Sequence, residues 1–316
     1  SSDVCSSDLI TEKFLIDTDM GADCDDVPAV ALAAWMHKTK QAELLGVTHT
    51  SSNPKLYEYI DSVVQFYGDI CCDIGICRGD CPQIGRISDS YIEESVKGFQ
   101  HRRVPDQVED SVSLLRRKLA NNEGVKLICI GPLNNLAALL RSAPDRYSPL
   151  QGTELVKHSV CEIALMGGIF GGKTYGAGDE KYDIEYNIQC DIAAAAFAVK
   201  NCPVPITFIE FELGYNVESF ERTVLSKSDS PIRRAFEMFH VKKRPSWDPI
   251  TVLYAKYGLC NGLYRYSPQG QAAVDREGRM HFSSGGQQRY LVENKSKKEI
   301  TDFVNSFEIH LARGIL

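Results

Sequence analysis

Short apolar runs alternate along the chain with longer stretches in which apolar residues return every third or fourth position. Phe14-Leu15-Ile16 reads as a buried strand that ends in an acidic loop, and residues 27–37 read as an Ala-rich helix. Asp25 and Asp26 stand at the start of that helix, where its dipole favours negative charge. The theme then repeats. Residues 43–49 predict a second strand and 57–67 a second helix. A helix over 110–119 leads into the strand 125–130 (VKLICI), the break Gly131-Pro132 and a helix over 134–140. The strand 162–166, a Gly-rich loop, the helix 191–200 and the strand 204–209 follow. Strands separated by helices of this length predict an α/β fold, a mainly parallel central sheet flanked by helices with a Rossmann-like core. Residues 270–293, with Gly285-Gly286 between short apolar segments, predict a hairpin-like insertion before a closing helix over 299–312.

Composition changes this picture little. The 316 residues are 43% hydrophobic and 24% charged, the balance of a globular chain. The first nine, SSDVCSSDL, have no apolar period and read as a translated adapter, so residues 10–316 are expected to form one domain. A net charge of −7 argues against a nucleic-acid partner, which would require a basic surface. No apolar stretch is long enough for a membrane span. Cys71, Cys72, Cys77 and Cys81 cluster beside Asp73 and Asp80 without CxxC spacing, and Cys129 and Cys161 lie in apolar runs. The cysteines are therefore expected to be reduced and structural, which favours the cytoplasm. A native N-terminus missing upstream would leave a secreted or periplasmic location open.

The candidate chemistry begins with Asp17-Thr18-Asp19-Met20-Gly21-Ala22-Asp23-Cys24-Asp25-Asp26. In a parallel sheet ligands bind at the carboxyl ends of strands, and this run directly follows the first one. Five aspartates in ten residues repel one another unless a cation compensates them, and oxygen ligands suit a hard ion such as Ca²⁺ or Mg²⁺. A solvated loop capping the next helix would show the same run. Three further segments fall at the same edge: Gly131-Pro132-Leu133-Asn134-Asn135 after VKLICI, Glu185-Tyr186-Asn187, and Trp247-Asp248-Pro249 with Asp248 as a candidate N-cap.

Together with Thr50-Ser51-Ser52-Asn53 and Leu165-Met166-Gly167-Gly168, these segments resemble, in order, the inosine–uridine nucleoside hydrolase superfamily over nearly the whole chain. The resemblance implies Ca²⁺-dependent cleavage of the N-glycosidic bond of ribonucleosides, one Ca²⁺ per subunit, and a homodimer or homotetramer. It assigns Asp19, Asp26, Asp248 and the Ile130 carbonyl to the metal, and Asp25 to the proton of the attacking water. Glu185 and Asn187 correspond to residues holding the ribose hydroxyls, Met166 to a wall of the ribose pocket, Asn53 to a further polar contact, and Asp17 to a support of the loop. Such cleavage develops oxocarbenium character at C1′, which surrounding carboxylates stabilise.

Two departures stand out. Asp23-Cys24 lengthens the acidic loop, so Asp23 competes with Asp25 for the role of base; Asp25 is preferred because Asp25-Asp26 opens the helix. Trp247 occupies the place of a His that protonates the leaving base in many members. An indole there can stack on the base, worth about 1–3 kcal/mol in other base-binding sites, which favours purine nucleosides. His101, His158 and His240 are expected to lie away from the chemistry. Two rival functions remain open. One is a Ca²⁺-dependent nucleoside-binding protein without turnover. The other is a P-loop NTPase, because Gly167-Gly168-Ile169-Phe170-Gly171-Gly172-Lys173-Thr174 matches GxxxxGK[ST], although Gly176 and Gly178 argue against the helix it must open.

Overall fold

The computed structural model describes residues 12–82, 88–102, 108–175, 182–226 and 228–312. The adapter-like tail lies outside them. The strands are β1 (Glu12–Thr18), β2 (Ala42–His49), β3 (Ile74–Ile76), β4 (Glu109–Asp110), β5 (Val125–Ile130), β6 (Val160–Met166) and β7 (Ile206–Ile209). With strands Arg289–Glu293 and Tyr264–Tyr266 they form one nine-stranded sheet. From the Tyr264–Tyr266 edge its order is Tyr264–Tyr266, Arg289–Glu293, β7, β6, β5, β1, β2, β3, β4. Every pairing is parallel except the one at the Tyr264–Tyr266 edge.

The alternation of side chains explains why the central strands read as continuous apolar runs. Phe14 and Ile16 of β1, Ile128 and Ile130 of β5, and Ala164 and Met166 of β6 face one core. Leu15, Leu127, Cys129, Ile163 and Leu165 face the other. The first core is covered by helices Asp26–Lys38, Leu56–Gly68 and Trp247–Tyr257, the second by Ser111–Ala120, Asn134–Arg141, Gly152–Ser159 and Ile192–Asn201. Helix Asp26–Lys38 is buried nearly all round because Leu56–Gly68 and Trp247–Tyr257 pack beside it. Its Ala-rich composition lets these elements approach closely.

The structure corrects several expectations. The segment 270–293 is not a simple insertion. Gly270–Val274 and Met280–Ser284 pair as a hairpin, but Gly285 and Gly286 take positive φ (91° and 141°) and turn Arg289–Glu293 into the main sheet beside β7. Burial of Leu291 holds it there. The closing helix is two, Lys297–Ser306 and Glu308–Leu311, the first opened by a Ser296/Glu299 capping box. Asp110 and Asp191 are caps rather than helical residues, accepting the N–H groups of Ser113 (3.0 Å) and Ala194 (2.9 Å). Cys77 and Cys81 form a disulfide, against the expectation of reduced cysteines. The positive φ of Gly79 turns the loop so that their Cα atoms lie 6.1 Å apart. The bond removes the ground on which a reducing compartment was expected. No helix among the described residues is long and apolar enough to cross a membrane.

Candidate active site

Adjacent β6, β5 and β1 end side by side, and their carboxyl ends floor a cavity of about 450 Å³. Asp17, at the penultimate position of β1, faces away from it as a support. One carboxylate oxygen accepts from Thr48 Oγ1 (2.6 Å) and Asn135 Nδ2 (2.7 Å), tying β1 to β2 and to the helix after β5. Burial pushes its pKa up to about 7 against those two bonds. The loop after β1 turns at Gly21 (φ 108°), with Ala22 N–H donating to the Asp19 carbonyl (2.9 Å). His49 braces it. Its Nδ1 accepts the Ser51 N–H (2.9 Å), which leaves Nε2 to donate to the Met20 carbonyl (3.1 Å). Burial lowers the His49 pKa to about 4, so the ring is neutral. Gly131 permits the close approach of the loop to β5, because a Cβ there would lie 2.8 Å from the Asp19 nitrogen.

Asp25 is the N-cap residue of helix Asp26–Lys38 and accepts the Asp248 N–H (3.1 Å). Asp26 accepts from Thr18 Oγ1. Asp248 lies in the first turn of helix Trp247–Tyr257, whose N-cap position is Ser246, two residues earlier than expected. Asp25, Asp26 and Asp248 each offer a carboxylate oxygen within 4.8 Å of the others. Asp19 and Ile130 line the same cavity, Asp19 outside that closest trio. The structure thus draws Asp25, expected as the base, into the cluster expected to hold the metal. Burial and mutual repulsion push Asp19, Asp25, Asp26 and Asp248 well above the usual carboxylate range. A buried all-oxygen cluster of this kind fits a hard cation, whose charge would cancel that repulsion.

Glu185 caps helix Tyr186–Cys190, accepting the N–H groups of Asn187 (2.9 Å) and Ile188 (3.2 Å). Burial raises it to about 7, those bonds acting the other way. Asn187 Nδ2 reaches the Met166 carbonyl and sulfur, each at 3.3 Å, so Glu185, Asn187 and Met166 form one unit on the cavity wall. Asn53 does not line the cavity: its Nδ2 donates to Asp89 (3.1 Å) and its Oδ1 accepts the Lys55 N–H (3.0 Å).

Trp247 lines the cavity with its Nε1 donating to the Phe211 carbonyl (2.7 Å) and its ring 5.2 Å from that of Phe211. It needs Gly214 behind it, where a Cβ would fall 2.3 Å from the indole. Phe211, Tyr215 and Arg244 were not singled out in the sequence, yet all line the cavity. Arg244 forms a forked ion pair with Asp23, Nε to Oδ1 at 2.9 Å and Nη2 to Oδ2. Asp23 therefore serves Arg244, while Asp25 faces Asp26 and Asp248. His101, His158 and His240 are exposed and outside the cavity lining.

The GxxxxGK[ST] segment is not a P-loop. Gly171 and Gly172 take positive φ (75° and 65°), Lys173 pairs with Glu212 and Glu210, and Tyr175 bridges Tyr182 where a helix would have to begin. Gly176 and Gly178 lie outside the described residues.

An acidic cluster suited to a hard cation, beside a Glu-Asn pair at the carboxyl edge of a parallel sheet, defines the class of site. The chain belongs to the inosine-uridine preferring nucleoside hydrolase family, whose profile matches residues 14–301. It is 25% identical over 208 residues to RihB of Escherichia coli O1:K1, a pyrimidine-specific ribonucleoside hydrolase. That match covers 64% of this chain and spans 60% of the relative's length. The inosine-uridine preferring nucleoside hydrolase of Bacillus anthracis superposes with a TM-score of 0.69 at 14% identity, over 95% of this chain and 100% of that one. The plant nucleoside hydrolase PpNRh1 gives 0.68 at 18%, over 94% and 98%. These likenesses bear out the expected fold.

Proposed function

We propose that the protein hydrolyses the N-glycosidic bond of ribonucleosides, releasing ribose and the free base. The observation that carries this reading is the convergence of Asp25, Asp26 and Asp248 on the cavity that Glu185 and Asn187 also line. Glu185 and Asn187 would hold the ribose hydroxyls, already oriented by their bonds to the helix start and to Met166. Asp19, Asp26, Asp248 and the Ile130 carbonyl would hold Ca²⁺. The bound cation would neutralise the carboxylates and make a nearby water easier to deprotonate. Asp25 accepts that proton, and the carboxylates stabilise the positive charge developing on the ribose ring. The aromatic wall of Phe211, Tyr215 and Trp247 supports a purine preference through stacking. The RihB relative is named for pyrimidines, so the base series is part of the test.

Purified protein incubated with adenosine, inosine, guanosine, uridine and cytidine, with and without chelator, gives a direct answer through the ribose released. Release that EDTA abolishes and calcium restores is expected. Tight nucleoside binding without ribose would instead make this a binding protein.

A further inference from the structure

The cavity holds an imbalance of charge that the reaction must overcome. Six carboxylates line it: Asp19, Asp23, Asp25, Asp26, Glu185 and Asp248. Among the described lining residues Arg244 is the single cationic side chain. In the hydrolysis, water oxygen bonds to C1′ and its proton passes to Asp25. The C1′–N electron pair leaves with the base, which takes a proton from solvent later unless an acid supplies one. Among the described residues no His lines the cavity to supply it, and Trp247 Nε1 is spent on the Phe211 carbonyl. Even with a divalent cation offsetting part of their charge, six carboxylates would disfavour a base departing as an anion.

We infer that Arg244 stabilises the departing base as an anion, doing by charge what a His at position 247 would do by proton transfer. The inference rests on the hydrolase reading above. The geometry is preorganised for it. Asp23 holds Nε and Nη2 in a fork, and the two Nη1 hydrogens have no partner among the described residues. The guanidinium carbon lies 5.5 Å from the centroid of the Trp247 ring, beside the aromatic wall against which a base would stack. The backbone is fixed too, since Arg244–Pro245 pairs with Glu218–Ser219. A guanidinium keeps its proton, so its contribution is to accept negative charge through hydrogen bonds, as oxyanion donors do. The Asp23-Cys24 extension then acquires a purpose: Asp23 aims Arg244.

The test compares leaving groups. Wild type, Arg244→Ala, Arg244→Lys and Asp23→Asn are assayed with calcium on inosine, uridine and 4-nitrophenyl riboside, whose nitrophenolate departs readily without help. Arg244→Ala should lose about 10²–10³-fold more on the nucleosides than on the nitrophenyl riboside, the size of effect seen for a single oxyanion donor. Arg244→Lys should recover part of that difference, and Asp23→Asn should show a smaller one of the same sign. Equal losses on all three substrates would overturn the inference while leaving the hydrolase reading intact. Failure of wild type to cleave any of them would overturn both. Should Arg244→Ala not fold, Arg244→Gln keeps the stem of the side chain and gives the same comparison.

Discussion

Replacing Asp248 by Asn should stabilise the protein without metal and weaken its response to metal. Asp25, Asp26 and Asp248 lie within 4.8 Å of one another. At an effective dielectric constant of about 20, two unit charges at that distance repel by about 3.5 kcal/mol, so a fully ionised Asp248 would feel about 7 kcal/mol from its two neighbours. Protonation caps the cost. Holding a proton at pH 7 on a group whose ordinary pKa is 3.8 costs about 4 kcal/mol. The neutral Asn carries neither burden, and the Asp25 contact with the backbone N–H of residue 248 survives the change. The metal-free variant should therefore gain up to about 4 kcal/mol, several degrees in Tm for a chain of this size. Wild type should recover about 2.7 kcal/mol when calcium reaches 100 times its Kd, and Asp248→Asn much less. Thermal melts in EDTA and along a calcium titration measure both. A variant that melts at or below wild type in EDTA would show that repulsion is not stored in this cluster. An equal calcium response would remove Asp248 from the metal site.

Asp25→Asn should lose turnover by about 10²–10⁴-fold on every leaving group while retaining calcium-dependent stabilisation; an equal, leaving-group-independent loss from Asp23→Ala would make Asp23 the base. Glu185 has a folded pKa of about 7 against an ordinary 4.5, so the folded protein binds the extra proton between those values and stability falls as pH rises through that window. Chemical denaturation in chelator should show Glu185→Gln gaining about 3 kcal/mol on wild type between pH 4.5 and 7.5, and a constant difference would refute the assignment. Gly131→Ala places a methyl 2.8 Å from the Asp19 nitrogen, so the loop must shift; calorimetry should show calcium binding weakened about tenfold, with a stability cost of about 1–3 kcal/mol. Unchanged calcium affinity would mean that Asp19 is not positioned through this contact.

The carboxyl-edge part of the site was legible because its residues follow strands. Asp19 follows β1, Ile130 ends β5 and Met166 ends β6, and the apolar runs before them announce a sheet buried on both faces. Any residue just beyond such a run falls at the carboxyl edge, so its chemistry could be placed without knowing the strand order. The same logic fails for Arg289–Glu293. Its parallel pairing with β7, Arg289 beside Thr207 and Tyr290 beside Phe208, depends on two glycines and the burial of Leu291 rather than on any local period. The Cys77–Cys81 bond was missed for a related reason: spacing alone does not reveal that Gly79 folds the loop back.

The aromatic and cationic wall was illegible because Phe211, Tyr215 and Arg244 sit on elements too short to impose a period. Phe211 and Tyr215 bound a five-residue helix, and Arg244 sits on a two-residue strand. Only Trp247 stood out, through its place before Asp248. The ion pair that matters most there joins residues 221 positions apart, so neither partner signals the other. Asp23 looked like a surplus acid competing for the proton of water, and the structure pairs it with the cavity's single described cationic side chain. This division has a physical basis. The carboxyl edge is fixed by strand ends that cannot move without disturbing two cores, whereas Phe211, Tyr215 and Arg244 stand on short elements that can exchange residues at less cost to the fold. The wall that Phe211, Tyr215, Arg244 and Trp247 form should therefore be the part of this site most free to vary, and with it the chemistry of the leaving group.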